Sequence, residues 1–228
     1  MFDGIAERYD FLNHLLSAGI DRSWRRRAIR SLALRGGERV LDVCAGTADL
    51  AMAACRTSPG AARVVGVDFA ARMLQIGQEK LRRAGLDRSI ALVRGDATKL
   101  PVADASVDAV TVAFGIRNVE DARAACEEMY RVLKPGGRLA VLEFAMPRTP
   151  VLRSVYVWYF RYVLPCIGNV IARHDAAYSY LPASVDTFTP PGEFVSRLQQ
   201  EGFIDAAAIP LTGGIVFLYT ARRGVEGG

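Results

Sequence analysis

Residues 40–49, with the sequence VLDVCAGTAD, decide the fold of this 228-residue chain. The first half has the apolar pattern of a buried strand, and the second half has the small residues of a tight turn before a helix. In such a turn Gly46 lets the backbone approach a ligand closely, so we assign Asp42 and Gly46 to a candidate ligand site. Because Gly46 alone remains of a possible three-glycine pattern, a turn that merely packs the helix onto the sheet stays an alternative.

Two further acidic turns follow the next two strand-like runs. Asp68 ends the run VGVD, 26 residues after Asp42, where a carboxylate can accept both hydroxyls of a ribose. Asp96, followed by Ala97, ends the next run, where a carboxylate can accept a hydrogen bond from an adenine amino group. Turns at consecutive strand ends meet at the switch-point crevice of an open sheet. The pattern predicts an adenosine-binding site but does not separate S-adenosylmethionine from a nicotinamide dinucleotide.

Around these turns, strand-like and helix-like runs alternate along the sequence. This pattern indicates an α/β chain with a mostly parallel sheet that is covered by helices on both faces. Predicted strands are 39–43, 63–67, 90–94, 107–113 and 139–143, and predicted helices are 50–56, 71–84 and 122–133. After a helix over 193–201, two strands at 206–209 and 215–220 are joined by a short link. A parallel pair needs a crossover of about a dozen residues, so this pair is predicted to be antiparallel.

The length suits a single domain over residues 1–228. Within it we predict an N-terminal helical cap over 1–36 and an apolar, aromatic insertion or lid over 148–186. No segment reaches 18 uninterrupted apolar residues, and no basic and then apolar opening marks a secretory signal. We therefore expect a cytoplasmic protein, with peripheral contact at the inner face of the membrane left open.

The charged and cysteine residues limit the classes of partner. The four cysteines include no CxxC pair, so we predict neither a metal site nor a disulfide framework. Part of the net charge of +5 is concentrated near the start in Arg22, Arg25, Arg26, Arg27 and Arg30. These arginines predict a solvated helix face or, alternatively, contact with anionic lipid, where each is worth about 1 kcal/mol. No nucleic-acid recognition motif accompanies them, so nucleic acid is not an expected partner.

Five stretches carry the most specific information about function. They are FD, AERYD and LN within residues 2–13, the loop over 41–50, FGIRNV at 114–119, RVLKPGG at 131–137 with EF at 143–144, and YSYL at 178–181 with LTGGI at 211–215. Together they resemble the ubiquinone/menaquinone biosynthesis C-methyltransferase family over nearly the whole chain. KPGG is common among methyltransferases, whereas FGIRN and LTGGI are much more specific. Few residues precede the first motif, so the likeness leaves open whether an N-terminal piece is missing.

The resemblance implies a Rossmann-like class I methyltransferase fold that ends in an antiparallel hairpin. It also implies S-adenosylmethionine as cofactor and methylation of a ring carbon of a prenylated quinol in menaquinone or ubiquinone synthesis. The family's cofactor contacts fall here on Thr47, Asp68, Asp96 with Ala97, and Ala113.

Four positions depart from the family pattern. Ala45 and Ala48 stand where glycine is typical, and their methyl groups are expected to weaken cofactor affinity. Ala113 stands where a small hydroxyl residue is often found, which limits that contact to the backbone. Asp21 replaces a common histidine, so a mechanism that needs histidine there is in doubt.

The acceptor chemistry requires stabilisation of a phenolate, because a ring carbon is a poor nucleophile until the neighbouring hydroxyl loses its proton. We predict that Arg117 stabilises this phenolate or orients a water, and that Asn118 binds a quinol oxygen. The alternative for Arg117 is a structural ion pair with Asp121 or Glu120. Tyr9 is predicted to cap the same pocket, or else to pack the first helix.

Other functions stay open at this level. One is methylation of another small apolar acceptor, and another is a non-catalytic scaffold that binds the cofactor. A nicotinamide-dependent oxidoreductase is a third, although a fuller glycine turn and a proton-donating Tyr/Lys pair are not seen. The apolar insertion over 148–186 suits a prenyl tail, and the alternatives for it are membrane contact, a homodimer interface or ordinary core.

Overall fold

The computed structural model describes residues 19–57, 63–146, 154, 184–185 and 188–225. Tyr9, the first half of the predicted cap over 1–36 and nearly all of the predicted insertion over 148–186 lie outside the described residues. Within them the helices are α1 (Asp21–Ser31), α2 (Asp49–Thr57), α3 (Ala71–Ala84), α4 (Ala122–Val132) and α5 (Pro191–Gln200). The strands are β1 (Arg39–Val43), β2 (Arg63–Asp68), β3 (Ile90–Arg94), β4 (Val107–Ala113), β5 (Leu133–Phe144), β6 (Phe203–Leu211) and β7 (Val216–Arg223).

The seven strands form one sheet in the order β3-β2-β1-β4-β5-β7-β6. The pairs from β3 to β5 are parallel, and β7 pairs antiparallel with both β5 and β6. The predicted fold class and the antiparallel pair are therefore confirmed. Several boundaries differ from the prediction by up to three residues. The largest difference is at β5, which begins at Leu133 and includes the KPGG turn, six residues before the predicted start.

Apolar side chains on both faces of the sheet explain why helices cover it. Val40 of β1 belongs to one core cluster, which includes the buried faces of α1 and α2. Its neighbour Leu41 belongs to the other cluster, with α4 and α5. Successive strand residues point to opposite faces, so a strand buried on both sides reads as a continuous apolar run. No helix in the described part of the chain is long and apolar enough to cross a bilayer.

Candidate cofactor-binding site

A cavity of about 610 Å³ lies at the carboxyl ends of β1 to β4. Ligand pockets usually enclose about 300–1,000 Å³, so an adenosine-sized ligand fits. Every residue predicted from the sequence to bind a cofactor lines this cavity: Asp42, Gly46, Thr47, Asp68, Asp96, Ala97 and Ala113. Asn118 lines it as well. The sheet topology thus brings together side chains that are far apart in sequence.

The loop after β1 adopts left-handed backbone at three positions, with φ of 54° at Cys44, 55° at Gly46 and 70° at Ala48. Each non-glycine residue in this conformation costs roughly 1–2 kcal/mol, so the tertiary structure holds the loop in shape. The amide of Ala45 donates to the Val67 carbonyl at 3.0 Å, which fixes the loop against β2. The Ala48 methyl is fully buried in the core and does not line the cavity, whereas Ala45 does. Of these two residues only Ala45 lines the cavity, and its methyl lies beside Gly66 of β2, where an added Cβ would be 2.9 Å away.

Asp68 ties this loop to the end of β2. Its Oδ2 accepts a hydrogen bond from the Gly46 amide at 2.8 Å, and its Oδ1 accepts one from the Ala70 amide at 2.8 Å. A carboxylate offers about four lone-pair sites, so it can accept from several donors at once.

Asp96 is exposed at the opposite wall of the cavity. Its Oδ1 accepts from the amide and from the hydroxyl of Thr98, both at 2.8 Å. These two bonds lower the pKa of Asp96, because they stabilise the charged form. The carboxylate is therefore ionised at neutral pH and can accept a hydrogen bond from a ligand.

Asp42 behaves in the opposite way. It is 1% exposed, and burial raises its pKa from the ordinary 3.8 to about 7. Hydrogen bonds from the Thr111 hydroxyl at 2.8 Å and the Ala51 amide at 3.1 Å offset only part of that cost. Near neutral pH the carboxyl of Asp42 is consequently present in both protonation states.

Thr47 is 3% exposed, and its hydroxyl oxygen accepts a hydrogen bond from Lys80 Nζ at 3.0 Å. The same ammonium group contacts Asp49 Oδ1 at 2.6 Å. Lys80, on α3, thus links the loop after β1 to the first residue of α2. Sequence patterns do not indicate this role of Lys80, since its partners lie 31 and 33 residues away along the chain.

The turn after β4 is the second strained segment. Phe114 has φ of 59°, and its ring stacks on Phe144 at 4.5 Å between centroids. A Cβ on the next residue, Gly115, would lie 2.3 Å from Cys44 Cβ. The two cavity loops therefore touch at a position that admits no side chain. The FGIRN motif contains this glycine, but its spacing does not show the contact with Cys44.

Arg117 lies behind the cavity wall rather than on it. Its side chain is 3% exposed, and Nη1 contacts Glu143 Oε1, which is fully buried, at 2.5 Å. Nη1 also donates to the Phe114 carbonyl at 2.7 Å, and Nε donates to the Ser184 hydroxyl at 3.3 Å. Arg117 thus forms its ion pair with Glu143, whereas the alternative from the sequence was a pair with Asp121 or Glu120. Asp121 instead caps the start of α4. No sequence pattern indicates this role of Glu143.

The basic cluster on α1 is also divided by the fold. Arg25 is 7% exposed, while Arg22, Arg26, Arg27 and Arg30 are exposed, so the prediction of a solvated face is wrong for Arg25. The reason is an i, i+4 pair, in which Arg25 Nη1 donates to Asp21 Oδ2 at 2.7 Å. Asp21 is itself 1% exposed. Arg25 lines the cavity.

Comparisons with known proteins bear on what this cavity holds. The sequence model of the ubiE/COQ5 methyltransferase family matches residues 1–223. A ubiquinone/menaquinone biosynthesis C-methyltransferase from Syntrophotalea carbinolica is 48% identical over 227 residues, which cover 100% of this chain and 94% of the relative. A demethylmenaquinone methyltransferase from Bacteroides fragilis is 42% identical over 224 residues, which cover 98% of this chain and 91% of the relative.

Solved structures agree on the fold. The crystal structure of a putative S-adenosyl-L-methionine-dependent methyltransferase from Methanococcus maripaludis superposes with a TM-score of 0.70 at 19% identity. The match covers 99% of this chain and 94% of that one. At this identity the likeness concerns the fold alone.

Proposed function

Because the chain belongs to the ubiE/COQ5 methyltransferase family, we propose that it transfers the methyl group of S-adenosylmethionine to a ring carbon of a prenylated quinol. The observation that carries this proposal is the single cavity lined by all seven residues expected to bind the cofactor. The names of the relatives, which are 42% and 48% identical over nearly the whole chain, supply the class of acceptor.

The geometry supports an assignment of the adenosine contacts. Asp96 accepts from the adenine amino group, and Asp68 accepts from the ribose hydroxyls. Gly46 leaves room for the backbone to approach the ligand, because a Cβ there would meet only Met73 Cε, at 3.5 Å. Asp42 lies in the same cavity, and its ionised form would face a cofactor that carries positive charge. The residues present therefore fit this cofactor.

The bound cofactor supplies an electrophilic methyl group, and the chain supplies position and exclusion of water. Asn118 lines the cavity beyond β4, where it can donate to an oxygen of the acceptor ring. Its Nδ2 lies 3.5 Å from the Phe114 carbonyl, which also accepts from Arg117. In this proposal Arg117 and Glu143 fix the turn that carries Asn118, so Arg117 acts as a positioning residue. The predicted direct contact of Arg117 with the acceptor would require the buried pair to open.

Contact with a membrane surface is a finer proposal, supported by the exposed arginines of α1. Arg22, Arg26, Arg27 and Arg30 are exposed on one 11-residue helix. Anionic lipid attracts each such residue by about 1 kcal/mol near the surface. The protein should sediment with vesicles that contain 30% phosphatidylglycerol and should stay in the supernatant with charge-neutral vesicles. Equal retention on both would contradict this contact without touching the methyltransferase proposal.

A methyl-transfer assay tests the proposed function directly. Purified protein is incubated with methyl-labelled S-adenosylmethionine and a reduced short-tail demethylmenaquinol, and in parallel with a demethoxylated benzoquinol precursor. Label on the ring carbon of either acceptor is the expected result and identifies the preferred ring. Cofactor binding without label in either product would overturn the quinol proposal and favour another small apolar acceptor or a silent scaffold.

A further inference from the structure

Arg25 carries a buried polar group that the described contacts leave unsatisfied. The side chain is 9% exposed, and its Nε is buried without a hydrogen-bond partner among the described residues. Nη1 binds Asp21 at 2.7 Å, whereas Nη2 lies 3.9 Å from Asp49 Oδ2, beyond hydrogen-bond distance. Buried polar groups are normally paired, so an unpaired donor on a side chain that belongs to a cavity wall calls for an explanation.

The place of Arg25 in the cavity follows from the strand order β3-β2-β1-β4. Asp96 follows β3 and Asp68 ends β2, so the adenosine contacts lie on one side of the crevice. Arg25 lies on the other side, with its guanidinium 5.5 Å from the centre of the Phe114 ring after β4. A ligand whose nucleoside is held at β2 and β3 and which extends across β1 therefore reaches Arg25 with its opposite end.

In S-adenosylmethionine that opposite end is an amino acid, which bears a carboxylate. A guanidinium presents a planar fork of donors that matches a carboxylate, and the fork binds it more strongly than a neutral donor would. We propose that Arg25 binds the amino-acid carboxylate of the cofactor through Nε and Nη2. This inference rests on the proposed function, because it names a subsite of the same cavity.

Asp21 has a supporting part in this subsite. It is 1% exposed and contacts Nη1, so it holds the guanidinium in one orientation and leaves the edge formed by Nε and Nη2 for the ligand. Asp49 does not compete strongly, because its Oδ1 is already 2.6 Å from the Lys80 ammonium. The aspartate at position 21 thereby acquires a role as a positioning residue for Arg25.

Calorimetric titration with two cofactors separates this role from a structural one. The probes are S-adenosylmethionine and its decarboxylated form, which keeps the sulfonium and lacks only the carboxylate. The variants are Arg25→Gln, Arg25→Lys and the matched control Arg27→Gln, whose side chain is exposed on the same helix. Thermal melting of each variant shows whether it is folded before titration.

We expect Arg25→Gln to bind S-adenosylmethionine about tenfold to a hundredfold more weakly than the unmodified chain does, since a hydrogen bond to a charged group is lost. Its affinity for the decarboxylated cofactor should stay within about twofold, Arg25→Lys should recover part of the loss, and Arg27→Gln should lose nothing. Equal weakening of both cofactors, or weakening of neither, would overturn the carboxylate subsite. If the unmodified chain bound neither cofactor, the proposed function itself would fail.

Discussion

The two ends of the sheet carry clefts of similar size and opposite chemistry. The cavity at the carboxyl end encloses about 610 Å³, and a groove at the amino end, which we call the amino-end groove, encloses about 680 Å³. In the amino-end groove Lys134 Nζ binds Asp108 Oδ1 at 2.6 Å, and Arg138 pairs with Glu38. At the carboxyl end Asp42, Asp68 and Asp96 accept hydrogen bonds from amides and hydroxyls instead.

The difference shows that volume alone does not identify a ligand site. Pairing of lysine and arginine with acids in the amino-end groove neutralises the charges of both partners. At the carboxyl end, parallel strands deliver successive loops to one crevice, and the helices α2 and α3 begin beside it. Amide groups at these helix starts stabilise carboxylates without neutralising their charge. The carboxyl-end cavity therefore presents charged carboxylates and one arginine to a ligand. Matched variants at the two ends should consequently differ in stability and in cofactor affinity.

The largest contrast is expected between two ion pairs. Arg117→Gln leaves the fully buried Glu143 without its cation, and we expect a loss of about 3–5 kcal/mol in the free energy of unfolding. Lys134→Gln removes the cation of a pair whose lysine is 41% exposed, and the loss should stay below about 1 kcal/mol. Urea denaturation monitored by circular dichroism measures both. The double variant with Arg117→Gln and Glu143→Gln should be more stable than Arg117→Gln alone. Similar losses for Arg117→Gln and Lys134→Gln would contradict the contrast.

A second contrast concerns one glycine at each end. In Gly115→Ala the new methyl would lie 2.3 Å from Cys44 Cβ, so the two cavity loops must separate. We expect a loss of stability of about 3 kcal/mol, because overpacking of this kind forces backbone shifts. Gly136, in the amino-end groove, has φ of 75°, and a Cβ there would meet only Val225 at 3.8 Å. Gly136→Ala should therefore cost only the strain of about 1–2 kcal/mol, and a larger loss than for Gly115→Ala would refute the explanation.

A third contrast compares two aspartates by cofactor affinity. Asp68→Asn replaces the charged acceptor proposed for the ribose hydroxyls, and S-adenosylmethionine should bind about tenfold to a hundredfold more weakly. Asp108→Asn, in the amino-end groove, should leave that affinity unchanged. Calorimetric titration of the two folded variants provides the measurement. An unchanged affinity in Asp68→Asn would remove the ribose contact from the proposal.

Sequence patterns predicted the fold, and they predicted several residues that line the carboxyl-end cavity, because both depend on local signals. Strand and helix periodicity gave the element order, and the positions of Asp68 and Asp96 at strand ends followed from parallel topology. The residues whose roles the sequence did not indicate depend on contacts that are distant along the chain. Glu143 lies 26 residues from Arg117, and the clash that excludes a side chain at Gly115 comes from a loop 71 positions earlier.

Arg25 is an intermediate case. The i, i+4 spacing of Asp21 and Arg25 is a local signal that could have separated this arginine from its exposed neighbours. Its contact with the Phe114 ring is not local, because the two residues lie on α1 and after β4. A pattern can therefore indicate that one arginine of a cluster is paired, whereas the cavity that it lines becomes visible only when the strands are in order.

The last contrast is the pH dependence of stability, which is the smallest effect when expressed per pH unit. It depends on two aspartates, one at each end of the sheet, whose pKa values shift in opposite directions. Burial raises the pKa of Asp42 to about 7. Burial would also raise that of Asp108, but hydrogen bonds from Lys134 and the Arg39 amide outweigh it and hold the pKa below its usual value. Because the pKa of Asp42 is higher in the folded chain, the unfolded chain loses this proton at a lower pH than the folded chain does. The Asp42 contribution to stability is therefore complete below about pH 4 and is lost as pH rises to about 7, by up to about 1.4 kcal/mol per pH unit.

The contribution of Asp108 has the reverse dependence. It is present above the ordinary aspartate pKa and is lost only as pH falls through the lower folded value, so it adds no slope between pH 5 and 7. Unfolding free energies of Asp42→Asn, minus those of the unmodified chain, should therefore rise with pH over this range, whereas the same difference for Asp108→Asn should be flat. Subtraction removes the titration of the two histidines. A flat difference for Asp42→Asn would mean that its carboxylate stays ionised, and the two ends would then differ in pairing but not in how they hold charge.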